Sequence, residues 1–117
     1  MIYVGFRKKH DEKNCRSIKN AVRYYGPDQG KELIKLITAI ECAQNLLDIK
    51  ALPQYRLHQL KGNYKDMYSL SIPRSGIRIV FYPQDKEGNT IRSKEDEKEM
   101  MKKTEKILIW EITDHYE

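Results

Sequence analysis

A chain of 117 residues, 39% hydrophobic and 33% charged, has room for one compact domain with a core of modest size, and it is too apolar to be disordered throughout. Its net charge of +5 favours an anionic partner, whether nucleic acid, an acidic protein or an anionic membrane surface. It contains no apolar run of about 18 residues, so a transmembrane helix is not expected, and residues 1–6 are too short for a signal-peptide core. The expected location is therefore the cytoplasm. Cys15 and Cys42 have no second thiol at metal-ligand spacing and are expected to be small buried side chains in a reducing compartment.

In chain order, residues 1–7 alternate loosely and suit a short strand. Over 14–25, Cys15, Ile18, Val22 and Tyr25 fall at three-and-four spacing, which predicts a first helix. Gly26-Pro27 ends it, since Gly takes a left-handed cap and Pro suits the first turn of a new helix. The stripe Leu33, Leu36, Ile37, Ile40, Ala43 and Leu47 predicts a second helix antiparallel to the first, and Leu52-Pro53 breaks the pattern.

Beyond residue 54 the periodicity changes to two. Residues 55–60 and 67–72 alternate, and Tyr68, Leu70 and Ile72 share a face. Pro73 with Ser75-Gly76 supplies a turn. In the next strand, over 77–82, Ile77, Ile79 and Phe81 lie on one face and Arg78, Val80 and Tyr82 on the other. A further apolar strand covers 107–112. The charged insertion at 84–105 reads as a solvated excursion from a long hairpin, with a short helix over 93–103. The expected fold class is α+β. It is a single domain over 1–117, with two N-terminal antiparallel helices packed on one face of a small, mainly antiparallel β-sheet and the other face left as a working surface.

No phosphate loop, Cys/His metal cluster or nucleophile elbow is present. The chemistry-bearing residues are instead scattered around the strands. Arg78 projects from the face opposite Ile77 and Ile79, where a planar guanidinium suits a phosphate. His58 sits in Arg56-Leu57-His58-Gln59-Leu60-Lys61-Gly62, and Lys61 lies where that strand enters a turn. The apolar strand over 107–112 runs directly into Asp114-His115-Tyr116-Glu117. A His and a Tyr at the end of a firm strand suit action on a bound substrate.

Those segments together carry a resemblance. Arg56-Leu57-His58-Gln59-Leu60-Lys61-Gly62, Tyr68-Ser69-Leu70-Ser71-Ile72, Ile77-Arg78-Ile79-Val80-Phe81 and Ile109-Trp110-Glu111-Ile112-Thr113-Asp114-His115-Tyr116 resemble the HigB-like branch of the RelE/ParE toxin superfamily. The family pattern is Leu-His-x-Leu-Lys-Gly, an Arg-Ile-x-Phe strand and a closing Asp-Tyr-His. The resemblance implies a RelE-like fold and a toxin of a type II toxin–antitoxin system. Such a toxin is an endoribonuclease (an mRNA interferase) that cuts mRNA on the ribosome with neither metal nor cofactor. A cognate antitoxin, a helix-turn-helix protein of the HigA kind, is its implied partner.

By residue, the resemblance makes His58 the catalytic histidine, Lys61 the motif lysine, Arg78 the strand arginine and Asp114 the terminal aspartate. This chain reads Asp114-His115-Tyr116, with the two rings transposed, and on a strand-like tail one position changes the face. Whether His115 or Tyr116 would reach the substrate stays open. Arg56 and Arg74 are candidates for the RNA backbone, and Tyr68 and Tyr82 for stacking on a base. Alternatives are a gyrase-binding toxin of the ParE type, a toxin-fold interaction module without activity, and a plain nucleic-acid-binding domain.

Overall fold

A computed structural model describes residues 1–92 and 96–114. The chain begins with β1 (Tyr3–Phe6), α1 (Lys9–Cys15), α2 (Ile18–Tyr25), α3 (Pro27–Cys42) and α4 (Leu46–Lys50). It continues with β2 (His58–Gln59), β3 (Tyr68–Ser71), β4 (Arg78–Gln84), α5 (Glu97–Lys103) and β5 (Lys106–Thr113). The five strands form one mixed sheet in the order β1-β5-β4-β3-β2. β1 pairs in parallel with β5, and every other pairing is antiparallel. The α+β class and the mainly antiparallel sheet agree with expectation.

The helical part differs from the two helices expected. The helix expected over 14–25 starts only at Ile18, because Ser17 takes an extended backbone and its hydroxyl accepts from the Asn20 N–H, a side-chain cap that opens α2; α1 lies ahead of it, over a polar stretch where no helix was expected. The second expected helix stops at Cys42, and Asn45 caps α4 by accepting from Leu47 N at 2.9 Å. Gly26, with φ of 94°, and Pro27 at the first position of α3 make the intervening turn.

One face of the sheet is packed against the helices. Val4, Tyr68, Leu70, Ile79, Phe81, Ile107 and Ile109 meet Leu33, Leu36, Ile37, Ile40, Leu46 and Ile49 in a single buried cluster. The segment over 84–105 is not merely a solvated excursion. Ile91, Met100 and Met101 are buried in this same cluster, so α5 is docked while its charged residues face water. Cys15 is buried, and desolvation pushes its thiol up to about 12. Cys42 is exposed, contrary to expectation, because it lies off the buried stripe of α3.

α2 and α3 approach closely through Gly30. A Cβ there would stand 2.6 Å from the carbonyl carbon and oxygen of Ala21 and from Val22 N. These are backbone atoms and cannot rotate away. Gly30→Ala gains about 1 kcal/mol of helix propensity, yet it forces the helices apart at a cost of about 1–3 kcal/mol or more. A lower denaturant midpoint is the expected result, and an unchanged or raised midpoint contradicts this packing.

Asp11 is buried beside the end of β5, and one carboxylate oxygen has no partner. Desolvation holds its carboxyl above the ordinary range, against the lowering effects of Lys8, the Ile112 N–H donor and His10. Folding therefore favours the neutral acid. Its contribution to stability is fully present below the ordinary carboxyl range and is lost as pH rises through the raised value. Asp11→Asn keeps an acceptor for Ile112 without the charge. Unfolding measured across pH should show this variant more stable than the parent at neutral pH and less sensitive to rising pH.

Candidate functional site

The other face of the sheet carries the candidate site. Cross-strand partners share a face, so the register fixes which side chains stand together. His58 pairs with Ser69, Ser69 with Val80, and Val80 with Glu111. Two residues along, Ser71 pairs with Arg78 and Arg78 with Thr113. His58 and Arg78 therefore stand on the same face of the sheet, with the buried Ser69 and Ser71 between them. Two strand spacings and two residues of rise put their Cα atoms about 12 Å apart. Two long side chains at that separation can close on one phosphate group.

The local backbone fixes His58. The chain leaves a short 3-10 helix at Pro53–Tyr55, and Arg56 then takes a left-handed conformation with φ of 51°. A non-glycine residue there costs about 1 kcal/mol. This turn presents the Arg56 carbonyl to the imidazole, 2.7 Å from Nδ1. A carbonyl only accepts, so Nδ1 carries the proton and donates. Nε2 is then the acceptor of the neutral ring, and the residue is exposed.

Arg78 is half-buried, and no carboxylate pairs with it among the described residues. Three other arginines are matched: Arg16 with Glu41, Arg74 with Glu32, Arg92 with Asp66. Arg7, Arg56 and Lys61 share the lack of an acidic partner among the described residues. Among the described residues of the five strands Glu111 is the sole carboxylate, and Lys8 neutralises it at 3.1 Å. Ser69 and Ser71 are buried, and their hydroxyls have no hydrogen-bond partner. An unpaired, partly desolvated guanidinium beside two unmatched hydroxyls is costly unless an anion completes it.

On this face Leu60, Met67 and Val80 form a small buried apolar cluster, with the partly buried Tyr82 and Trp110 packed against it. Tyr82 meets Trp110 edge-on at 5.5 Å, on the face expected for it. Lys61 is exposed and opens the loop between β2 and β3, which the Leu60 N–H to Met67 carbonyl bond at 2.9 Å closes.

Two expected residues are placed elsewhere. Tyr68 is 2% exposed and packs with Phe81 under the helices, where burial pushes its phenol up to about 12. It cannot stack on a base, and the alternation that groups it with Leu70 and Ile72 is the reason. Arg74 occupies the β3–β4 turn with φ of 59° and reaches Glu32 of α3, on the helix side. Asp114 lines a cleft of about 470 Å³ with Tyr24, Tyr25, Gln29, Ile77, Ile112 and Thr113, at the Arg78 end of the sheet but towards the helices. His115 and Tyr116 lie outside the described residues.

Ser69, Ser71, Arg7 and Trp110 are the site residues that sequence reasoning did not name. The serines were within reach, because they alternate with Tyr68, Leu70 and Ile72. Nothing local in the sequence links Arg7 to Trp110. Among the described residues no group of three or more His, Cys, Asp or Glu is placed to hold a metal ion.

No protein-family model matches the chain, and comparison with curated proteins and with solved structures gave no match.

Proposed function

We propose that this chain is the toxin of a type II toxin–antitoxin system, a RelE-like endoribonuclease that cuts mRNA on the ribosome. The observation that carries this reading is the placement of His58 and Arg78 on one face of the sheet, two strands apart. One offers a fixed Nε2, and the other an unpaired guanidinium. The motif resemblance of these same residues supports it.

In the proposed reaction Nε2 of His58 takes the proton of an RNA 2′-OH. The 2′ oxygen forms a bond to the adjacent phosphorus, and the bond to the 5′ oxygen breaks. The products are a 2′,3′-cyclic phosphate and a 5′-hydroxyl end. The leaving oxygen needs a proton, for which His115 or Tyr116 are the candidates. Arg78 stabilises the charge that builds on the phosphate oxygens. Lys61 and Arg56 add positive charge along the RNA backbone, and Tyr82 offers a ring to a base. A cytoplasmic site of action and a helix-turn-helix antitoxin partner belong to the same proposal.

Controlled expression tests this reading. The wild-type chain should arrest growth and create new mRNA 5′ ends, whereas His58→Ala should do neither. Arrest without new ends argues for the gyrase-binding alternative, and absence of toxicity for an inactive module.

A further inference from the structure

Arg7 follows β1 and is held by two contacts at the far side of the open face. Its Nε donates to the Trp110 carbonyl at 3.1 Å, and its Cζ stands 4.2 Å from the centre of the Trp110 ring. Trp110 follows the core residue Ile109 and so falls on this face; β5 is irregular here, since Val80 pairs with Glu111 but Phe81 with Ile109, which leaves Trp110 as an extra residue beside Glu111. Tyr82 also meets the indole, in a T-shaped contact at 5.5 Å.

These contacts use one nitrogen and one face of the guanidinium. Its outer face and both terminal nitrogens remain, the residue is exposed, and it has no carboxylate partner among the described residues. Glu111, the nearest strand carboxylate, is already matched by Lys8. A guanidinium stacked on indole has lost much of its rotamer freedom before any ligand arrives. Its fork suits phosphate oxygens, and its flat face suits a nucleobase. An acidic peptide would use the fork but not the stacked plane.

We infer that Arg7 and Trp110 form a second nucleotide-binding position for single-stranded RNA. It lies roughly 14 Å from His58 by three strand spacings, so it holds a nucleotide a short way along the strand from the scissile phosphate. The Arg7 terminal nitrogens bind the phosphate, and the stack of Arg7 on Trp110 supports the base. This inference rests on the RNA-cleaving reading for the direction of the strand, but not for the binding position itself.

Trp110 is the chain's single tryptophan, so its emission reports this position. The probe is a short single-stranded 2′-O-methyl oligoribonucleotide, which has no 2′-OH to attack and stays intact. Titration into the whole chain should quench Trp110 saturably. Arg7→Ala should bind roughly tenfold more weakly, and its log K against log salt slope should be shallower by about 0.7. Arg7→Lys, which keeps the charge, should retain the salt slope and lose part of the affinity. An unchanged affinity and slope in Arg7→Ala overturns the inference. So does quenching by polyglutamate but not by the oligonucleotide, which assigns the position to an acidic protein partner. Cleavage of ordinary RNA is scored in parallel. Intact cleavage without quenching overturns this position alone, whereas quenching without cleavage overturns the nuclease reading and leaves the position standing.

Discussion

His58→Ala is expected to slow mRNA cleavage by about 10²–10⁴-fold, the range for removing a positioned general base. Its side chain is exposed, so the fold should survive the change. His58→Gln sharpens the test. Glutamine keeps a neutral polar side chain of similar length, yet it cannot accept a proton near neutral pH. The account therefore predicts that His58→Gln is as slow as His58→Ala. Single-turnover cleavage by the two variants, with thermal unfolding recorded on the same samples, checks this. Near-normal activity in His58→Gln means that the ring only orients the substrate.

Arg78 should separate stability from activity. Its guanidinium is half-buried on the open face without a carboxylate, beside the unmatched Ser71 hydroxyl. Such a group is a burden in the free protein and an asset once an anion binds. Arg78→Met retains the length and removes the charge. It should cut cleavage by about 10²–10³-fold while leaving the protein as stable as the parent or more so. Arg78→Lys restores charge but not the planar fork, and it should recover only part of the rate. Cleavage rates and denaturant midpoints for the three proteins decide the point. A marked loss of stability in Arg78→Met would make Arg78 a structural residue and weaken the phosphate assignment.

The central strands were legible because their two faces meet different solvents. Ile77, Ile79 and Phe81 lie under the helices, and Arg78, Val80 and Tyr82 stand opposite, as period-two alternation requires. The same alternation had already grouped Tyr68 with the core, so its proposed role in stacking conflicted with its own pattern. The helix start after Ser17 was written in a capping residue, but the spacing of Cys15, Ile18, Val22 and Tyr25 runs straight across it. In the fold Ala21 is fully buried and Ile18 is 54% exposed. Met100 and Met101 were the mark of a docked helix inside a charged run, and the surrounding charge masked them.

Other features depend on distant partners. The parallel pairing of β1 with β5 brings residue 3 to residue 106, and no local pattern encodes it. The left-handed Arg56 turn, which aims a carbonyl at His58, uses a residue type that rarely adopts that conformation. The irregularity at Trp110 needs the facing strand to exist before an extra residue has meaning. These long-range and strained elements are what build the open face, so the motif residues were readable while their arrangement was not.

The central claim is that this face directs an RNA 2′-OH against its own phosphate. The most direct measurement uses ribosomes programmed with one mRNA and the purified chain, comparing an all-ribose message with one carrying a single 2′-deoxy nucleotide at the mapped cut. The account predicts a 5′-hydroxyl fragment and a 2′,3′-cyclic phosphate end from the first message, with no cut at that position in the second. Cleavage that persists at the deoxy nucleotide, or that leaves a 5′-phosphate, would contradict it.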